Sequence, residues 1–259
     1  MKEIISSQCL YAARTPMPEL NTTILLVTPV WKDSSRLAGF GAELARVLAA
    51  SPLPVRWIIA DDGSGDAEKA RLLELRATFA EVFPRVEVHF AKEHHGKGSV
   101  VREAWALDLE AEWLAFVDAD GSVTAQDMLD LIGQAIAANR SVLGIRKRTA
   151  TTRLIESPWR GFVHRGFLIT VRLLLGLRCE DPQCGGKIIL GKDYRRVAAG
   201  LVENGLAFDS ELLSALHRSG AHWLEIPVSW EEKKGGKVNP LRDAWPMLLA
   251  LLRIRFQKR

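Results

Sequence analysis

Three cysteines in 259 residues, Cys9, Cys179 and Cys184, are too few and too scattered for a disulfide framework, and no C-x-x-C pair offers half of a zinc site. They read as unpaired thiols, which fits a reducing compartment. A run of the ~20 apolar residues that a spanning helix needs is also missing. The longest uncharged apolar stretch near the C-terminus, Ala244 to Leu252, is far shorter and is interrupted by Pro246. Met1 to Leu20 mixes charges, prolines and polar residues, without the basic, apolar and small-residue order of a signal peptide, so the expected location is the cytoplasm. There is no linker rich in Ser, Gly or Pro and no internal repeat. Neither the P-loop sequence nor the dinucleotide fingerprint occurs, which sets aside an NTPase or a dehydrogenase read from such a motif.

What is present is an ordinary globular composition. Hydrophobic residues make up 47% and charged residues 25%, which excludes extensive disorder, and the length suits one large α/β domain or two modest ones sharing a cleft. The net charge is +4 with a pI near 9.0. Its basic residues gather at Arg146, Lys147, Arg148, Arg153, Arg160 and Arg165 and again at Arg253, Arg255, Lys258 and Arg259, a distribution that points to phosphate or lipid headgroups before nucleic acid. A solvated basic face is the alternative for the terminal cluster.

Residues 1–20 read as an irregular lead-in. Thr23 to Val30 is a continuous aliphatic and β-branched run, expected as a strand buried on both faces, and Leu37 to Ala49 follows with helical spacing. The alternation repeats with strands at Val55–Ala60, Val86–Phe90, Trp113–Val117 and Ser141–Ile145 and helices at Ala67–Ala80 and Ser99–Leu109. Repeated βα units predict a mainly parallel sheet flanked by helices, an α/β fold in which ligands bind beyond the carboxyl ends of the strands. A basic, partly amphipathic stretch then runs to Leu177, followed by the 181–187 segment, a short strand, a helix containing Glu211 and a strand from His222 to Trp230. The expected division is one composite domain over residues 21–239, with a nucleotide half to about 145 and an acceptor half beyond it, and a basic amphipathic helix over 240–259.

The unusual residues fall at the predicted strand ends. Asp118-x-Asp120 follows an apolar strand directly, which puts two carboxylates where magnesium, using one or two carboxylates with phosphates and waters, can bind. Asp61-Asp62-Gly63-Ser64 ends another strand. Asp62 there can accept a base N–H or a ribose hydroxyl, or the segment can be a turn with Ser64 or Asp66 capping the next helix. Gly96-Lys97-Gly98 opens a helix carrying Arg102, so that Lys97, Arg102 and the helix N-terminus can face one anion. His94 and His95 read as loop histidines. Asp209 and Glu211 can orient sugar hydroxyls or serve as base for a hydroxyl acceptor, or they mark a helix start, with Asp209 as cap.

Thr28-Pro29-Val30-Trp31-Lys32-Asp33, the 61–64 turn, Gly96-Lys97-Gly98 with Arg102, and Asp118-Ala119-Asp120-Gly121 together resemble inverting family-two glycosyltransferases with the GT-A fold. The second half is similar to dolichyl-phosphate glucose and mannose synthases in Arg160 to Arg165, Leu174-Leu175-Gly176, Asp181 to Lys187, Phe208 to Leu213, and Glu225-Ile226-Pro227-Val228-x-Trp230. The resemblance covers about Thr23 to the C-terminus. It implies that Pro29, Asp33 and Asp62 hold the nucleoside, that Asp118 lies near ribose and metal, that Asp120 is the principal carboxylate for Mg2+ or Mn2+, and that Arg146 and Arg160 hold phosphate. It departs at Asp33, where Glu is frequent, at Gly186, where an aromatic residue is frequent, and at Ser122, where mannose synthases often carry a metal-binding Gln. The Gln183-Cys184-Gly185 segment favours UDP-glucose as donor, by resemblance alone.

The implied activity is transfer of a hexose from a nucleotide-diphosphate sugar to a polyprenyl phosphate at the cytoplasmic face of a membrane. A phosphate monoester has a second pKa of about 6, so the acceptor is already a dianion and needs positioning by arginine forks rather than a strong base. Phe167 to Leu177 has the spacing of a helix face, fit for core packing or for membrane-surface insertion. Pro240 to Arg259, with Trp245, Leu248, Leu249, Leu252 and Phe256 ahead of a basic end, suits an interfacial helix or one docked on the protein's own core. Several members of the resembled family continue into transmembrane helices, so peripheral attachment or recruitment by a membrane partner is expected here. The rivals are a soluble transferase to a hydroxyl, which would need Asp209 or Glu211 as base, and a non-catalytic nucleotide-sugar-binding protein.

Overall fold

The computed structural model describes residues 23–233 and 240–257, apart from the side chains of Arg160 and of residues 240–243. The lead-in, Cys9, Lys258, Arg259 and the side chain of Arg160 therefore lie outside the described residues.

The chain runs β1 (Ile24–Val30), α1 (Ser34–Ala49), β2 (Val55–Asp61), α2 (Asp66–Val82), β3 (Val86–Phe90), α3 (Lys97–Trp105), β4 (Trp113–Val117), α4 (Ala125–Ala138) and β5 (Ser141–Arg146). It continues with β6 (Leu154–Ile155), α5 (Pro158–Leu175), β7 (Gly186–Leu190), α6 (Gly191–Val197), α7 (Phe208–Arg218), β8 (Trp223–Val228), β9 (Trp230–Glu231) and α8 (Pro240–Phe256). The main sheet has the order β3-β2-β1-β4-β7-β5-β8. It is parallel except for β7, which is antiparallel to both β4 and β5. The mainly parallel α/β sheet expected from the sequence is what forms.

Burial on both faces explains the continuous apolar strands. In β1, Ile24 and Leu26 enter one core with α1, α2 and α4, whereas Leu25 and Val27 enter the other with α3, α6 and α7. On the first face α1 contributes Leu37, Phe40, Leu44 and Leu48 at helical spacing. The side chain of Thr124 caps α4 by accepting from the Asp127 N–H at 3.0 Å. Against the second face pack Val171 of α5 and Ala250, Leu251 and Ile254 of α8.

Two of the boundaries that differ from the sequence expectation change the architecture. The helix expected to reach Leu109 gives way after Trp105 to a 3-10 turn at Ala106–Asp108. The strand expected to run to Trp230 breaks at Ser229, whose N–H donates to Asp127 Oδ2 at 3.2 Å, and Trp230 starts β9, which pairs with β6 in a separate small sheet.

Candidate active site

The parallel strands that supply the candidate site end at one edge of the sheet. The carboxyl ends of β1, β2 and β4, the N-terminus of α3 and the flanks of α5, α7 and α8 enclose a cleft of about 850 Å³. Of the residues singled out in the sequence, Pro29, Asp33, Asp62, Lys97, Asp118, Asp120, Arg146 and Asp209 line it.

At the β2 end, Gly63 adopts a φ of +66°, and a Cβ there would strike the backbone of Glu93 and His94. This close approach brings the 93–96 loop over Asp62. The buried Asp62 carboxylate accepts the N–H groups of His95 at 3.0 Å and Gly96 at 2.8 Å and lies 2.7 Å from His94 Nδ1. The His94 ring in turn stacks on Trp31, with centroids 4.2 Å apart. The two histidines lie in a loop, as expected, and both line the cleft, and Trp31 is a flat aromatic wall that sequence reasoning did not single out. Capping did not go as expected either: Gly65, not Ser64 or Asp66, occupies the cap position of α2, and the Ser64 hydroxyl accepts from the Lys32 N–H at 2.7 Å.

The two β4 carboxylates carry internal cations. Lys97 Nζ lies 2.8 Å from Asp118 Oδ1 and 3.4 Å from Asp209 Oδ2. Burial works against the ammonium, but the charges of Asp118 and Asp209 outweigh it and hold Lys97 above the ordinary lysine range. Asp118 is raised above the usual carboxylate range by burial, with the charge of Asp120 adding to it and Lys97 opposing. Asp120 Oδ1 accepts the Ser122 N–H at 2.9 Å, and its Oδ2 faces Arg36 Nη1 at 3.3 Å. Arg36 also grips both oxygens of Asp33. A Cβ on Gly185 would collide with the Asp118 carboxylate, so the glycine leaves room for that side chain.

Beneath the cleft, Lys187 is completely buried in β7, with Nζ 2.8 Å from Asp209 Oδ1 and bonded to the Cys184 carbonyl at 2.5 Å. Arg146, at the end of β5, is clamped by the buried Asp181 through Nε at 2.6 Å and Nη2 at 2.8 Å, and Nη2 also meets His164 Nδ1 at 3.1 Å. Burial disfavours the Asp181 carboxylate, yet the bonds and charge of Arg146 prevail and its pKa is lowered. Cys179 and Cys184 are buried free thiols, each pushed up to about 12 chiefly by burial.

Two expected site residues point elsewhere. Glu211 is fully buried outside the cleft, where its carboxylate accepts the N–H groups of Val202 at 3.1 Å and Glu203 at 2.9 Å, so it serves the loop before α7. Arg102 donates to the Glu203 carbonyl and to Asn204 Oδ1 and covers Phe208, anchoring the same loop instead of facing the cleft. Asp209 is not a helix cap, because Ala207 holds that position.

The far wall of the cleft is apolar, built from Val163 and Phe167 of α5 and Met247, Leu248 and Leu251 of α8. The opposite side of each helix carries exposed apolar residues: Phe162, Ile169 and Leu173 on α5, and Trp245, Leu249 and Phe256 on α8. Each helix thus packs one face on the core, as the docking alternative expects, and leaves another face exposed. Among the described residues no helix is long and apolar enough to cross a membrane.

The comparison with known families matches the segment that carries the strand-end carboxylates Asp62, Asp118 and Asp120. Residues 36–192 fit the model of Glycosyl transferase family 2. The chain belongs to glycosyltransferase family 2. This family-2 chain is 29% identical over 208 residues to the dolichyl-phosphate beta-glucosyltransferase of Dictyostelium discoideum, covering 77% of this chain and 62% of that protein. It is 27% identical to the dolichyl-phosphate beta-glucosyltransferase of Saccharomyces cerevisiae, covering 77% and 64%. It therefore spans less than two thirds of the length of these two relatives. Among solved structures, glucosyl-3-phosphoglycerate synthase from Mycobacterium tuberculosis, in complex with Mn2+, UDP and phosphoglyceric acid, superposes with a TM-score of 0.64 at 15% identity, covering 92% of this chain and 80% of that one. At that identity the likeness shows a shared GT-A-like fold.

Proposed function

We propose that this family-2 chain is an inverting hexosyltransferase that moves glucose from UDP-glucose to a polyprenyl phosphate at a membrane surface. The observation that carries the reading is the continuity of one cleft, from the Asp118 and Asp120 carboxylates with their cations at one end to the apolar wall of α5 and α8 at the other. A charged donor and an apolar acceptor chain can then meet in a single space. The dolichyl-phosphate glucosyltransferase relatives support the same donor sugar and acceptor class.

In this reading residues up to about 145 hold the donor and the remainder holds the acceptor. Trp31 offers a stacking face for the base, and Asp62, oriented by the His95 and Gly96 N–H groups, accepts a base N–H. The residues fit a divalent ion, because Asp118 and Asp120 supply the one or two carboxylates that Mg2+ or Mn2+ takes together with phosphate oxygens. When bound, the ion neutralises the charge that develops on the departing nucleoside diphosphate. Lys97 adds a fixed positive charge beside it. Arg146, held in one orientation by Asp181, offers its Nη1 group and fixed charge to the acceptor phosphate and limits repulsion between the two anions, and Arg160 on α5 is proposed to assist. Each Asp209 oxygen faces a lysine ammonium, so Asp209 supports the lysines rather than acting as a base, and a phosphate dianion needs none.

The buried free thiols fit the reducing, cytoplasmic side of the membrane. The test is transfer of radiolabelled sugar from UDP-glucose and from GDP-mannose to a short-chain polyprenyl phosphate with Mg2+ or Mn2+, comparing the native protein with Asp120→Ala. Metal-dependent glycolipid formed from UDP-glucose, and lost in the variant, is the expected result. Donor binding without transfer to the lipid phosphate would sink the acceptor assignment.

A further inference from the structure

Arg36 takes no part in the strand-end motif, yet it joins that motif to the first helix. Its position in the first turn of α1 lets Nε reach Asp33 Oδ1 at 2.8 Å while Nη1 lies 3.3 Å from Asp120 Oδ2. The guanidinium is a permanent cation, and the hydrogen bond it donates to Asp33 chiefly, against the cost of burial and with the charges of Asp33, Asp120 and Asp118 assisting, raises its pKa further. Asp120 Oδ1 already accepts the Ser122 N–H, and the other oxygen, Oδ2, is the one that Arg36 contacts.

We propose that Arg36 is an internal counter-ion of Asp120 that competes with the divalent cation and makes metal binding depend on the donor, a proposal that rests on the metal reading of Asp118 and Asp120. The paired groups Asp33, Asp118, Asp120 and Asp209 against Arg36, Lys97 and Lys187 leave a single excess negative charge, a weak attraction for a lone dication in a site that water reaches. A nucleoside diphosphate changes this in two ways. Its oxygens complete the coordination shell of the ion, and they give the Arg36 fork a new anion to grip, which frees Asp120 Oδ2. Metal and donor then each raise the affinity for the other by the same factor, as linkage requires.

The experiment is Mn2+ binding followed by the electron paramagnetic resonance signal of free Mn2+, with and without saturating UDP, in the native protein, Arg36→Gln and Asp33→Asn. Native protein should bind Mn2+ weakly alone and about tenfold or more tighter with UDP, within the usual range of coupling. Arg36→Gln should bind Mn2+ alone about five- to tenfold more tightly than native and lose most of the UDP effect. Asp33→Asn, which leaves Arg36 wholly to Asp120, should bind Mn2+ alone more weakly. Arg56→Gln removes one positive charge at the distant Arg56–Glu87 pair and should leave Mn2+ binding unchanged, separating a local contact from net charge. UDP-coupled binding that is the same in Arg36→Gln as in native protein would overturn the role of Arg36 alone. No Mn2+ binding by native protein even with UDP would remove the metal reading and this proposal with it.

Discussion

Lys187 Nζ lies 2.8 Å from Asp209 Oδ1, with the lysine entirely shielded from solvent. Lys97 approaches the other oxygen of the same carboxylate at 3.4 Å. A buried ammonium is tolerated only when paired, so removing Asp209 strands Lys187, whereas removing Lys187 leaves Asp209 with Lys97. Asp209→Ala should destabilise the protein by roughly 3–5 kcal/mol. Lys187→Met should cost clearly less, and the double variant should recover part of the Asp209→Ala loss. Urea unfolding of the four proteins forms the double-mutant cycle. Additive losses would mean that the two side chains do not depend on each other.

Asp181 and Arg146 give a pH dependence with a defined sign. The folded-state pKa of Asp181 lies below its ordinary value because Arg146 outweighs the cost of burial. The unfolded aspartate titrates near ~3.9, so the stabilisation is complete above that value and is lost as pH falls below it through the lower folded-state value. Asp181→Asn should lose about 3 kcal/mol at pH 7, because Arg146 keeps its burial without its counter-ion. The gap from native protein should narrow as the pH is lowered below about 4. Chemical unfolding across that range reads both effects, and a gap independent of pH would contradict the ion pair.

The strand ends were legible because β1, β2 and β4 are mostly apolar runs with Asp at or within three residues of their ends, and a parallel sheet sends all such ends to one edge. Side-chain direction was legible only in part. Asp209 and Glu211 are two residues apart on α7, hence about 200° apart around the helix, so only one could face the cleft, and the sequence does not say which. Arg36 sits three residues after Asp33, the spacing of any helix-surface pair, and its second partner is 84 positions away. Lys187 became a buried group only because β7 inserts antiparallel between β4 and β5, and local pattern does not encode that topology. His94 and Trp31 come from different loops, and the turn at Gly63 helps bring them together.

Gly185 separates shape at the site from overall stability. An added methyl would collide with the Asp118 carboxylate, while the backbone N–H of Asp118 remains tied to the Gly185 carbonyl at 3.0 Å. Gly185→Ala should therefore turn the Asp118 side chain out of place and lower kcat/KM for sugar transfer by at least about tenfold, or about 1.4 kcal/mol. Gly133, inside α4 with open space around its Cβ position, is the contrast: Gly133→Ala should leave turnover unchanged and stabilise the helix by about 0.5–1 kcal/mol. Steady-state kinetics and thermal unfolding on both variants check this. Unaltered kinetics in Gly185→Ala would show that Asp118 does not need its present rotamer.

The exposed faces of α5 and α8 carry the argument for a membrane surface. Phe162, Ile169 and Leu173 recur at intervals that place them on one stripe of α5, as Trp245, Leu249 and Phe256 do on α8. Arg165, Arg172, Arg253 and Arg255 lie on the same two helices and are exposed. The helices pack against each other and share the apolar wall of the cleft, so a lipid phosphate entering between them would leave its chain on the bilayer side. Insertion of one Phe or Leu contributes on the order of 1.5–3 kcal/mol, and each nearby arginine adds about 1 kcal/mol with anionic lipid. Phe162→Glu combined with Leu173→Glu should therefore reduce co-sedimentation with vesicles containing phosphatidylserine by more than tenfold. Binding of a soluble nucleotide should be unchanged. Native binding should weaken with salt and with replacement of phosphatidylserine by phosphatidylcholine. If the double variant sediments as the native protein does, the exposed stripe of α5 makes no membrane contact.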